Sequence, residues 1–179
     1  MISAQSAQQA IQDYRNSVSQ QLQEHADPDT LIVCIGHPDS GGYYFPPVDS
    51  VNSLVLKLAG DTLSDAWDAL ELAFRSTNIR SLFICSHSRA YDRAEFGARP
   101  AQRLGFVRGV IESQERMKRS KKQFVESVSW LKNQLAESHQ IPHSELTIAG
   151  FFYLVESGIF LIPDSETGEF HPLTKHGLR

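Results

Sequence analysis

Cysteine is scarce in this chain of 179 residues, with only Cys34 and Cys85. Two cysteines do not make a disulfide framework, and a reducing compartment keeps both as thiols. Long apolar runs are lacking as well. None approaches the roughly 20 residues that span a bilayer, which excludes a membrane helix. The opening stretch, Met1-Ile-Ser-Ala-Gln-Ser-Ala-Gln-Gln-Ala, has neither the charged start nor the apolar core of a signal peptide. The expected location is therefore cytoplasmic. Basic residues are outnumbered, with 17 Lys and Arg against 21 Asp and Glu for a net charge of −4. That balance argues against a dedicated nucleic-acid binder. No Gly-x-Ser-x-Gly elbow, internal repeat, low-complexity tract or domain linker is present.

What is present suits one globular domain with a full core, because 41% of the residues are hydrophobic and 21% charged. From about Ser3 to His25, Ala7, Ala10, Ile11, Tyr14, Val18 and Leu22 recur at helical spacing. This predicts an amphipathic helix with a thin apolar seam, ended by Asp27-Pro28-Asp29. Such a seam suits packing on a partner subunit or on the helix's own sheet. Leu31–Ile35 is a continuous apolar run, as expected of a strand covered on both faces. Ser53–Leu58 and Ser81–Ser86 read as two more strands, with a helix through about Ser76 between them. Residues from about Gln102 to Ser138 are helical in pattern, as one helix or two with a weak point near Ser120. Leu146–Gly150 and Tyr153–Ile162 read as strands, with a turn at Glu156-Ser157-Gly158. The stretch after Pro163 is polar and expected to be loosely held. Strand–helix alternation indicates an α/β domain with a mostly parallel sheet, whose ligands bind at the C-terminal strand ends.

Cys34 and His87 fall at two such ends. A thiolate and an imidazole are the donors that zinc favours. A zinc enzyme of this layout needs a third protein ligand, and the position three residues after His87 holds Ala90.

The order of pieces resembles the β-class carbonic anhydrases. In that family one strand ends in Cys-x-Asp-x-Arg and a second runs into an Ala-Gly-Asn turn. A third strand ends in Gly-His-x-x-Cys-Gly, and a long helix and a Gly-containing hairpin follow. The counterparts here are Cys34-Ile-Gly36-His-Pro38, Ala59-Gly60-Asp61 and Ser86-His87-Ser-Arg-Ala90. The end matches through Val125–Leu131 and Leu146–Gly158, so the likeness runs from about Leu31 to Ile162. It implies a three-layer β-carbonic-anhydrase-like α/β fold with three parts. These are an N-terminal helical arm over 1–28, the α/β domain over 29–163 and a polar C-terminal tail over 164–179. It also implies a homodimer or higher assembly in which the arm crosses to the neighbour.

The likeness breaks at the site. The family holds zinc with Cys, His and Cys, and an Asp–Arg pair works beside the metal. Of those five positions only Cys34 and His87 match, while Ala90, Gly36 and Pro38 do not. Zinc makes a hydroxide for CO2 hydration by lowering the pKa of its bound water to about 7. Losing one thiolate weakens such a site sharply.

Three functional readings follow. In the first, the chain has no family-type zinc site, is silent for CO2 hydration, and serves as a binding, assembly or regulatory protein or as a sensor of a small anion. In the second, Cys34, His37 and His87 make a remodelled zinc site, with Asp39 as ligand or orienting neighbour. The chain is then a zinc lyase acting on CO2 or a related small electrophile. Cys85 is the poorer ligand, lying one step deeper on its strand. In the third, the loop Gly36–Gly42 cradles a phosphate or nucleotide without metal, although it lacks the Gly-Lys-Ser/Thr ending of a P-loop. The cofactor is accordingly none or zinc. Against all three stands the ordinary fate of free cysteine, a small buried apolar residue. Arg89 would line a retained pocket for an anion such as bicarbonate, or it is a solvated loop arginine. The basic cluster Arg116–Lys122 reads as a solvated helix face.

Overall fold

The computed structural model describes residues 4–24, 27–36, 52–58, 63–88, 106–138, 146–155, 157–164 and 167–173. In chain order its elements are α1 (Ala4–Glu24), β1 (Thr30–Ile35), β2 (Ser53–Leu58), α2 (Trp67–Ser76), β3 (Ser81–His87), α3 (Phe106–Glu137), β4 (Thr147–Leu154), β5 (Ile159–Pro163) and β6 (Phe170–Pro172). The strands form one sheet in the order β2-β1-β3-β4-β5-β6. β2, β1, β3 and β4 run parallel, and β5 and β6 join antiparallel. This is the mostly parallel α/β sheet with a C-terminal hairpin that the sequence pattern indicates.

Period-two alternation sends successive side chains to opposite faces of the sheet. One face carries Leu31, Val33 and Ile35 of β1, Leu54, Leu56 and Leu58 of β2, Leu82 and Ile84 of β3, and Phe152 of β4. All three helices reach this face: Tyr14 and Val18 from α1, Leu70 and Phe74 from α2, and Phe124, Val128 and Leu131 from α3 join the same core. The opposite face gathers Ile32, Cys85 and Phe151, with Cys34, Val55, Phe83, Ala149, Phe160, Ile162 and Leu173 packed around them. Among the described residues no helix contributes to this second cluster.

Helix α1 lies on its own domain, with Tyr14 and Val18 buried beside α2 and β2. Gln21 fastens it there. Its side-chain amide donates to the Val55 carbonyl at 2.8 Å, and its oxygen accepts from the Val55 N–H at 2.6 Å. The amide thus stands in for a neighbouring strand along the edge of β2 and satisfies groups that would otherwise invite another chain.

Helix α3 is a single helix, and Ser120 is not a weak point in it. That residue is buried, and its hydroxyl donates to the Ser88 carbonyl at 3.4 Å just past the end of β3. Two lysines of the basic cluster on the same helix pair with acids one turn away, Lys118 with Glu115 at 2.9 Å and Lys122 with Glu126 at 3.7 Å. Exposed pairs of this kind mark a solvated face.

Gly150 does not end a strand as its sequence context suggests, because β4 continues through it to Leu154. A Cβ at Gly150 would come within 3.1 Å of the Phe124 ring, so the glycine is there to admit α3. Beyond Pro163, where the sequence reads as a polar tail, β6 pairs with β5. Phe170 there sits 5.6 Å from the Phe152 ring and 6.4 Å from Phe124, and the Lys121 ammonium lies 4.8 Å over its face. A single aromatic in an otherwise polar stretch supplies that anchor.

Candidate functional site

The site of interest is the C-terminal end of the sheet on the face opposite the helices. Registers across β2, β1, β3 and β4 order it in layers. Ile32 pairs with Val55 and Phe83, and Phe83 pairs with Ala149. One step up, Cys34 pairs with Lys57 on one side and Cys85 on the other, and Cys85 pairs with Phe151. At the top, His87 pairs with Tyr153, and Gly36 lies just beyond β1.

Cys34 and Cys85 therefore stand side by side on neighbouring strands and face the same way. Cys34 is half-buried, and Cys85 is 3% exposed. Hydrogen bonding with the Cys34 side chain, then burial and the nearness of Cys34's charge, pushes the Cys85 thiol well above the usual cysteine range. Phe83 and Phe151 stack edge to face at 5.7 Å beside the pair and supply much of its apolar wall.

His87 is 7% exposed and lies over Gly36. A Cβ built on Gly36 would run into His87 Nε2 and fall 2.9 Å from Cδ2. Gly36 also has φ of +156°, a conformation that residues with side chains rarely adopt. Its N–H donates to the Leu58 carbonyl at 3.3 Å, which holds the end of β1 against β2. The imidazole thus fills the volume that any side chain at position 36 would need. In the sequence comparison this is the position of the family's aspartate.

The strand end beyond His87 is also tied down. Ser88 N–H donates to the Tyr153 carbonyl at 2.9 Å, and the Ser88 hydroxyl accepts from Val155 N–H at 3.2 Å. Tyr153 packs on Phe160 at 4.8 Å. Ser86 points to the helix side, where its hydroxyl is buried with no hydrogen-bond partner among the described residues.

Cys34 and His87, the two inherited positions, thus share one face of the sheet. His37, Asp39, Arg89 and Ala90, together with the loop Gly36–Gly42 beyond its first residue, lie outside the described residues. Among the described residues no three histidine, cysteine or acidic side chains converge to hold a metal. Among the described residues the side chain level with Cys34 on the neighbouring strand is Cys85. A signal for it was present. Thr30-Leu-Ile-Val-Cys34 and Ser81-Leu-Phe-Ile-Cys85 share one pattern, and in-register parallel pairing sets the cysteines level. A zinc set needs three or four protein donors splayed around a common point. Of the inherited donors, the described residues supply Cys34 and His87.

No family model matches the sequence, and no curated protein matches it. Solved structures do. The β-carbonic anhydrase CcaA is 18% identical with a TM-score of 0.54, covering 94% of this chain and 95% of that one. The β-carbonic anhydrase CafA of Aspergillus fumigatus is 17% identical with a TM-score of 0.51, covering 89% of this chain and 86% of that one. The chain has a β-carbonic-anhydrase-like fold over nearly its whole length.

Proposed function

We propose that this protein has kept the β-carbonic-anhydrase fold and left CO2 hydration, and that it works as a binding, assembly or regulatory protein. The observation that carries this reading is the contact of His87 with Gly36. The family's carboxylate position has no room for a carboxylate, because the imidazole that would bind zinc occupies its space. The sequence adds that Ala90 and Pro38 stand where the family has a zinc cysteine and an arginine. Loss of one ligand would suit a working enzyme that drifted. Loss of a ligand together with both residues that serve the metal suits release from the reaction.

The protein on this reading is a homo-oligomer, a dimer at least, located in the cytoplasm. A small anion such as bicarbonate near Arg89 is the retained ligand. Zinc bound by Cys34, His37 and His87 belongs to the competing lyase reading.

The deciding experiment measures metal in protein purified without chelator, then CO2 hydration by stopped flow. Zinc well below one per chain and no turnover above background are expected. Near-stoichiometric zinc that disappears in Cys34→Ser or His87→Ala, with turnover, would overturn the proposal.

A further inference from the structure

The thiol pair on β1 and β3 has no part in the proposal above and stands without it. Neighbouring strands lie about 4.8 Å apart, inside the roughly 4.4–6.8 Å window of Cα separations that disulfides occupy. Cys34 and Cys85 meet that condition because they are direct register partners with side chains on one face. Both side chains also sit in one packed cluster on that face. Their surroundings are asymmetric. Cys34 is partly open, whereas Cys85 is buried beside Phe83 and Phe151.

We infer that Cys34 and Cys85 close into a reversible intramolecular disulfide, with Cys34 the residue that meets the oxidant and Cys85 the residue that resolves it. With a peroxide the chemistry balances as follows. The Cys34 sulfur attacks one peroxide oxygen, the O–O bond breaks, and Cys34 becomes a sulfenic acid as the other oxygen leaves as water or an alcohol. The Cys85 sulfur then attacks the Cys34 sulfur. The S–O bond breaks, the S–S bond forms, and the oxygen leaves as water with the Cys85 proton. Two thiols have lost two electrons to one peroxide. A dithiol reverses the step by thiol–disulfide exchange.

The bridge is a labile one. In-register strands hold the two Cβ atoms near the strand spacing, whereas a relaxed disulfide has them about 3.8 Å apart. Closure must draw β1 and β3 together, and bridges strained in this way are readily reduced. The resting form in a reducing compartment is the dithiol seen here. Oxidation takes the thiol of Cys34 out of use at the centre of this face.

The test treats the reduced full-length protein with hydrogen peroxide, blocks remaining thiols, and reads intact mass and a non-reducing peptide map. Expected are loss of both thiols together, a mass lower by two hydrogens, a Cys34–Cys85 linked peptide, a rate independent of protein concentration, and recovery with dithiothreitol. In Cys85→Ser, Cys34 should instead accumulate as a dimedone-trapped sulfenic acid. In Cys34→Ser, Cys85 should stay a thiol until the protein is denatured. The inference is overturned if the wild type accumulates sulfenic or sulfinic Cys34 with Cys85 still a thiol. It is equally overturned if the product is a cross-linked dimer formed faster at higher protein concentration. Should either variant fail to fold by circular dichroism, the wild-type peptide map decides alone. Every readout is a thiol or a mass and none is turnover, so failure of this inference is distinguishable from failure of the proposal above.

Discussion

The two faces of the sheet are built on different principles. The helix-covered face is a closed packing problem. Leu31, Val33, Leu54, Leu56, Leu82 and Ile84 meet three helices and are essentially removed from solvent. The other face mixes apolar side chains with Cys34, Cys85 and His87, and among the described residues no helix covers it. Stability resides mainly on the first face and side-chain chemistry on the second. Strand alternation makes the separation possible, because residues one apart answer to different demands.

That contrast can be broken at three points. The largest effect is expected on the helix face. Phe124 is fully buried between Gly150, Phe152 and Phe170, so Phe124→Ala leaves a cavity where α3 meets the sheet. A loss of about 3–5 kcal/mol in a denaturant titration is expected. A loss below about 1 kcal/mol would mean that α3 is not seated as described.

An intermediate effect belongs to the top of the other face. Gly36→Ala sets a methyl against the His87 ring and imposes a disfavoured φ, for a combined cost of about 2–3 kcal/mol. Adding His87→Gly removes the clash but not the backbone strain, so the double variant should regain part of the loss. Purely additive costs in that double-mutant cycle would disprove the contact between the two residues.

The smallest effect is a pH dependence at the centre of the same face. The folded state holds the Cys85 thiol above its ordinary pKa, so above that ordinary value the unfolded chain releases the proton first. Stability from this group is therefore level below about pH 8.5 and falls as pH rises beyond it. Subtracting the stability–pH curve of Cys85→Ala from that of the wild type isolates the term. A difference curve that stays flat above pH 9 would show that Cys85 is not held neutral.

Much of this architecture was legible in the residues. Leu31–Ile35 and Ser81–Ser86 read as central strands because continuous apolar runs suit strands buried on both faces. Cys34 and His87 could be placed at strand ends for the same reason. Gly150 misled because a glycine in a strand is indistinguishable, in one dimension, from a turn, and only the arrival of Phe124 explains it. Strand β6 was hidden because its pairing partner β5 provides the backbone bonds, and only Phe170 and Leu173 provide the packing.

The sequence by itself determined the strand and helix pattern, the likeness to the β-class carbonic anhydrases, and the absence of three of that family's five functional side chains. Those are properties of residue types and spacing along one chain. Only the tertiary structure decided what the remaining side chains do with the space. Register between β1 and β3 set Cys85 level with Cys34. The approach of β3 to the end of β1 laid His87 on Gly36. Both outcomes depend on lateral distances between strands far apart in sequence, which no periodicity within either strand specifies.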